Sequence, residues 1–246
     1  MGQSFGLYIL DLLDMAPGKI KGIESLLSCW QMDADRDEKS LVIPDGCRDL
    51  IYKSSPGKRP VWFLSDLEDS SYQVPVAKGD VFRGYRLRPG ANIQSEQLLW
   101  SLNGPEGKGA LPHELTAGDL ASRLESFTEL KRELDQALSC LASDVSSIAQ
   151  VANLLGVSVR TLHRYIWQGT GRPPLFWLRL ARVRKAGRAV TSSCSLAESL
   201  AEIAFDHGFS DQAHMSREFR KWLLITPSAL RGGGTQGVQL LERGYG

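Results

Sequence analysis

The sequence contains no run of 18 consecutive apolar residues, so no segment of it reads as a membrane-spanning helix. Its start, Met1 to Leu10, has no basic region ahead of a short apolar stretch that Asp11 and Asp14 interrupt. It does not read as a secretory leader. Gly6 stands where N-myristoylation favours Ser or Thr. Cysteine is sparse: Cys29, Cys47, Cys140 and Cys194 are widely spaced with no Cys-x-x-Cys, the pattern of reduced, mostly buried thiols in a cytoplasmic protein. Histidine is scarcer still in residues 1–144, where His113 stands alone beside Pro112. One imidazole cannot build a site of several histidines and a carboxylate, so no metal or cofactor is expected there. Gly-x-Ser-x-Gly, His-Glu-x-x-His and Gly-x4-Gly-Lys-Ser/Thr are all missing. Cys140 and Cys194 have no histidine nearby in sequence to activate a thiolate for methyl transfer. These absences argue against an enzyme.

What is present is a duplication. Ile148-Ala149-Gln150-Val151-Ala152-Asn153-Leu154-Leu155-Gly156-Val157-Ser158 is matched by Leu200-Ala201-Glu202-Ile203-Ala204-Phe205-Asp206-His207-Gly208-Phe209-Ser210. In each, an alanine precedes a glycine by four residues, a serine follows by two, and a second run of apolar positions begins there. Helix-turn-helix packing needs these types. The alanine lets two helices cross closely, and the glycine ends the first helix at positive φ. The serine is expected to cap the next helix, whose start is aimed at a major groove. Between the copies, Pro173 to Ala186 reads as one connecting helix. Pro173-Pro174 suit its first turn; Leu175, Leu178, Ala181, Val183 and Ala186 face neighbours, and Gly187 weakens its far end.

Charge follows the same division. The chain carries a net +1, yet residues 1–144 hold 16 basic against 22 acidic residues and residues 145–246 hold 13 against 6. The C-terminal half is therefore at +7, suited to releasing counterions from nucleic acid, and the N-terminal half at −6 is suited to another task. Two recognition helices held rigidly would sit roughly 34 Å apart, one turn of DNA. On the exposed side of the first are Arg160, His163 and Arg164; Gln212, Ala213, His214 and Arg217 occupy the corresponding stretch of the second. Arginine forks onto guanine O6 and N7, glutamine suits adenine N6 and N7, and alanine can touch a thymine methyl.

The N-terminal half is different in texture. Leu41-Val42-Ile43, Asp49 to Tyr52, Val61 to Leu64, Tyr72 to Val76 and Val81 to Leu87 are short β-prone runs divided by turns such as Pro44-Asp45-Gly46. They predict an antiparallel β-domain. Further on, apolar residues at 120, 124, 127, 130, 134, 138 and 141 keep helical spacing, predicting one linker helix that packs on the β-domain or pairs subunits.

Residues 146–231 resemble the DNA-binding domain of the AraC/XylS family of transcription regulators. The most specific stretch is Ala201-Glu202-Ile203-Ala204 through Gly208-Phe209-Ser210-Asp211-Gln212, then Phe219-Arg220-Lys221 and Thr226-Pro227-Ser228-Ala229-Leu230-Arg231. Met215 and His214 depart from the family pattern, and Leu224-Ile225 replace the usual glycine before Thr-Pro. The same resemblance points to Arg160, His163 and Arg164. Pro44 to Leu50 and Gly84 to Gly90 resemble the cupin-like β-barrels that sense small molecules in one subgroup.

The expected architecture is α+β: a β-rich, cupin-like sensing domain over 1–115, a linker over 116–142, a double helix-turn-helix domain over 143–231 and a mobile tail over 232–246. The expected function is a cytoplasmic transcription regulator that binds double-stranded DNA. The resemblance further implies a small-molecule effector, contact with RNA polymerase and a homodimer. Trp30, Arg48, Trp62, Tyr85 and Arg86 are the candidate effector-binding residues, with Phe63, Phe82 and Arg88 as further possibilities. The alternative is an N-terminal half that binds a protein partner and no ligand.

Overall fold

Turn residues and β-branched or aromatic runs in the N-terminal half give antiparallel strands. They are Leu26–Asp33 (β1), Glu38–Val42 (β2), Arg48–Ser54 (β3), Val61–Leu64 (β4), Tyr72–Val76 (β5) and Val81–Leu87 (β6). This computed structural model describes residues 22–104, 115–192, 198–232, 241 and 244–246, so His113 and Cys194 lie outside the described residues. Two units emerge. One draws on the chain up to Ser40, Cys47–Asp66 and Gln73–Lys131, the other on Leu41–Gly46, Leu67–Tyr72 and Arg132–Gly246. Among the described residues no helix is long and apolar enough to cross a membrane.

In the β-unit the main sheet runs β1-β6-β3-β4, and β2 pairs with β5. The register sets Tyr52 opposite Trp62 and Leu50 opposite Tyr85. These residues, with Leu26 and Leu87, meet Leu98 and Leu102 of α1 (Ser95–Asn103) and Leu120 and Leu124 of α2 (Ala117–Phe127) in one core. The open edge of β4 is answered by a side chain: Asn103 Oδ1 accepts from Trp62 N at 2.9 Å, and its Nδ2 donates to Trp62 O at 2.9 Å. A side-chain amide thus takes the place of a fifth strand.

The stretch over 116–142 is two helices in place of one. Thr128–Glu129 (β8) pairs with Asn92–Ile93 (β7), and a separate helix, α3, covers Arg132–Ala142. Extended pairing at Thr128 interrupts the helical period. Leu120 and Leu124 are spent in the β-unit, and Leu134, Leu138 and Leu141 in the helical unit. The stripe that could have paired subunits is therefore buried within the chain.

The helical unit comprises α3, α4 (Ile148–Leu154), α5 (Val159–Thr170), α6 (Pro174–Thr191), α7 (Leu200–Asp206), α8 (Gln212–Leu223) and α9 (Pro227–Gly232). Helix α6 is its axis. Phe176, Trp177, Leu178, Leu180, Ala181, Val183, Ala186 and Val190 are all buried, whereas Leu175, expected inward, is 40% exposed. A helix enclosed on nearly every side loses the period that marks an inner face. Trp177 has no exposed surface and meets Phe176 and Tyr245 edge-on, at 5.2 and 4.8 Å between ring centroids. Truncating such a side chain costs about 3–5 kcal/mol.

Leu241 and Gly244 to Gly246, placed by the sequence in a mobile tail, are docked on the helical unit. Tyr245 is buried, its N–H donates to Asp45 O at 2.7 Å and its hydroxyl to Leu138 O at 2.9 Å. Leu241 packs against Gly187, where a Cβ would lie 2.8 Å from Leu241 Cδ1. The glycine that looked like a weak point in α6 is the place where this segment docks. Residues 233–240 lie outside the described set. Two connections between strands also belong to the helical unit. Arg172 donates to Leu67 O at 2.8 Å and approaches Asp69 at 3.4 Å, while Ser71 Oγ donates to Trp222 O.

The turn after α8 keeps its shape without glycine. Leu224 itself adopts the left-handed conformation, φ 55 and ψ 18, with 58% of its surface exposed. A side chain in that region is strained, and little burial would be lost with it. Leu224→Gly is expected to stabilise the protein by about 0.5–1 kcal/mol. A higher urea midpoint at unchanged slope is the result expected; an unchanged or lower midpoint counts against strain at Leu224.

Candidate nucleic-acid interface

Both copies of the repeated motif close their first helix in the same way. The Ala152 carbonyl accepts from Val157 N at 3.0 Å, and the Ala204 carbonyl from Phe209 N at 2.9 Å. Between donor and acceptor the chain must reverse, and Gly156 and Gly208 do so at φ 67 and 74. This six-to-one closure satisfies carbonyls that the helix end would leave open. Ala152 and Ala204 are almost wholly buried, as close helix crossing requires.

The second helix of each copy begins differently. Ser158 caps α5, accepting from Thr161 N at 3.0 Å. In the other copy Ser210 is not the cap. Asp211 is, accepting from His214 N at 2.6 Å. A carboxylate that accepts two or three local donors is the stronger acceptor at a helix start. The turn from glycine to cap is thus one residue longer in the second copy, and the register shifts with it. Leu162 and Ile166, the buried stripe of α5, correspond to Met215 and Phe219 of α8.

That shift re-sorts the candidate contacts. Arg160, His163 and Arg164 are all exposed on the side of α5 away from Leu162 and Ile166. Their counterparts in α8 are Ala213, Ser216 and Arg217, of which Ala213 and Arg217 are exposed and Ser216 half-buried. Gln212 is exposed but occupies the first helical position, beside this face. His214 lies off it. Its ring is half-buried, edge-on to Phe209 at 5.4 Å, and its Nδ1 lies 3.1 Å from Ser210 Oγ. It holds the start of the helix together. Ser216 was not among the residues that the sequence singled out; counting from the buried pairs Leu162/Ile166 and Met215/Phe219 makes it the counterpart of His163.

Of the residues proposed for an effector, the structure brings Trp30 and Arg86 together on one carboxylate. Trp30 Nε1 donates to Asp49 Oδ2 at 2.8 Å, and Arg86 reaches both Asp49 oxygens at 3.0 Å. Arg48 is elsewhere, donating to Ser65 O at 2.9 Å. Arg48 and Arg86 are therefore both engaged by the protein's own oxygens. Trp62 and Tyr85 are core residues beside Tyr52, with ring centroids 5.3 Å (Tyr52–Trp62) and 5.9 Å (Trp62–Tyr85) apart. Burial, with Asp49 nearby, pushes the Cys29 thiol up to about 11, and burial lifts the Tyr85 phenol to about 12. Among the described residues the Trp62 Nε1 donor is buried without a hydrogen-bond partner.

A family model described as a helix-turn-helix domain matches residues 151–233. The HTH-type transcriptional activator RhaS of Pectobacterium atrosepticum is 37% identical over 200 residues, covering 74% of this chain and 67% of its own length. RhaS of Klebsiella pneumoniae is 34% identical over 116 residues, 46% of this chain and 41% of that protein. The chain spans only about half the length of several such relatives, 41% and 57% in two of them. A crystal structure of a transcriptional regulator with an AraC-type DNA-binding domain from Chromobacterium violaceum is 27% identical. It covers 42% of this chain and 93% of its own, with a TM-score of 0.38.

The reassigned cap makes a direct prediction. The His214 N–H holds the Asp211 carboxyl below the usual aspartate range, so its contribution is present at neutral pH and is lost as pH falls through that depressed value. Asp211→Ala should lower the thermal midpoint at neutral pH, and Ser210→Ala should leave it near the parent value. The difference between parent and Asp211→Ala should vanish in acid. The opposite ranking of the two variants would return the cap to Ser210.

Proposed function

The chain belongs to the AraC/XylS family of transcription regulators, and from that premise we propose that α5 and α8 read double-stranded DNA in sequence-specific fashion, under the control of a small molecule held by the β-unit. One observation carries the first part. Two helices that differ in cap residue but share one spacing from cap to buried stripe each turn an arginine, Arg164 and Arg217, to the same outward position. An exposed guanidinium one turn into a recognition helix is placed to fork onto guanine O6 and N7. Arg160 and His163 extend the α5 contact, and Ala213 offers a methyl to thymine. Ser216 offers a hydroxyl, while Gln212 lies beside this face. The +7 balance of residues 145–246 supplies the general attraction to phosphate.

Two observations support control by a ligand. The orphaned Trp62 Nε1, buried among Tyr52 and Tyr85, would be satisfied by an acceptor atom on a flat small molecule. The connections after β2 and β4 are built into the helical unit at Pro44-Asp45 and Leu67 to Ser71. Ser71 holds the Trp222 carbonyl in the last turn of α8, and Leu67 holds Arg172 just beyond the end of α5. A change in strand position would therefore be felt, through chain continuity, at the ends of both reading helices.

Arg164→Ala and Arg217→Ala test the reading. Each should cost about 1–3 kcal/mol on a preferred duplex and relax preference at a single base, a different one for each variant. Binding to matched and single-base-altered duplexes measures this. An equal loss on every duplex would make the residue a phosphate contact and contradict base reading.

A further inference from the structure

Trp167 lies in the third turn of α5 with 57% of its surface exposed, and among the described residues its indole has no hydrogen-bond or ring partner. At 3.6 residues per turn it sits about 20° from Arg160 around the helix and about 10 Å farther along it. It therefore shares the face of Arg160, His163 and Arg164, opposite the buried Leu162 and Ile166. A tryptophan turned to water in the middle of a polar face has an apolar surface to cover and an N–H to satisfy. The second copy indicates with what. By the register of caps and buried stripes, the counterpart of Trp167 in α8 is Arg220, also exposed, a cation of the type that contacts phosphate.

We infer that Trp167 is a DNA-backbone contact: its ring packs on a deoxyribose at the groove wall and its Nε1–H donates to the adjoining phosphate. This rests on the DNA-reading function proposed above and adds to it a residue and a mode. Recognition helices contact base edges with their N-terminal residues, so a position two turns past Arg160 is where the helix leaves the groove floor. The two copies then use the same position in different ways, one through a neutral stacking donor and the other through a cation. Neutral contact has a signature: it adds affinity without releasing a counterion.

The experiment uses the full chain and a duplex of about 30 base pairs that the wild type enriches from a random pool, long enough for two groove segments. Trp167→Ala should bind about three- to thirtyfold more weakly, by the same factor on single-base-altered duplexes. The slope of log affinity against log salt should not change. Trp167→Phe should lie between, keeping the ring and losing the donor. Trp167→Arg, copying its counterpart, should restore affinity and steepen the slope by about 0.9. DNA should also change the tryptophan emission of the wild type more than that of Trp167→Phe. Unchanged affinity in Trp167→Ala overturns the contact, and a loss confined to duplexes with one particular base overturns its assignment to the backbone. Failure of the wild type to enrich any duplex would instead contradict the DNA-reading function itself.

Discussion

A guanidinium sealed inside a protein must have its donors satisfied by fixed acceptors, and this requirement organises the helical unit. Arg184 of α6 has no exposed surface. Its Nε donates to Tyr245 O at 2.9 Å, Nη2 to Leu241 O at 3.0 Å and Nη1 to Pro44 O at 3.3 Å. Leaving such a charge unanswered would cost several kcal/mol, so the carbonyls must be delivered to it. They come from both ends of the sequence. Arg188, one turn on, repeats the pattern on Leu241 O and Gly246 O. The same arginine that is, in sequence, one more basic residue of the connecting helix is a structural centre. It fixes α6, and α6 fixes both helix-turn-helix copies.

Local backbone chemistry was the most legible layer of the chain. An alanine that must be small, a glycine that must turn and a polar cap leave a mark at fixed spacing, and Ala152, Gly156, Ala204 and Gly208 adopt the conformations that mark implies. The runs at 48–54, 61–64, 72–76 and 81–87 are likewise strands. What was hidden depended on distant parts of the chain. Strand β1 carries a bulge between Leu26 and Ser28, which breaks the alternation that would have revealed it. The docking of Leu241 and Tyr245 could not be read from a Gly-rich composition, because their partners are 53 to 200 residues away. The exposed side of α5 was readable, and that of α8 only in part, since His214 turns to Phe209 and Ser210 while Ser216 takes the place expected of it.

The longer turn before Asp211 has chemical consequences. Had Ser210 been the cap, Gln212, Met215 and Ser216 would have been the counterparts of Arg160, His163 and Arg164. With Asp211 as cap, the counterparts in α8 are Ala213, Ser216 and Arg217, smaller and less basic than Arg160, His163 and Arg164. The two copies share a backbone device and differ in what they present, so they are suited to different base sequences. A basic surface can hold any DNA; under the proposed function, the asymmetry between the two helices would favour one orientation and one register.

The central claim is that one chain inserts both helices side by side into successive groove segments. A hydroxyl-radical footprint of the full chain on its selected duplex, taken with the binding stoichiometry, tests it most directly. A single bound chain should protect two patches on one face of the DNA, roughly 34 Å apart, one helical turn. A single protected patch per chain would contradict it.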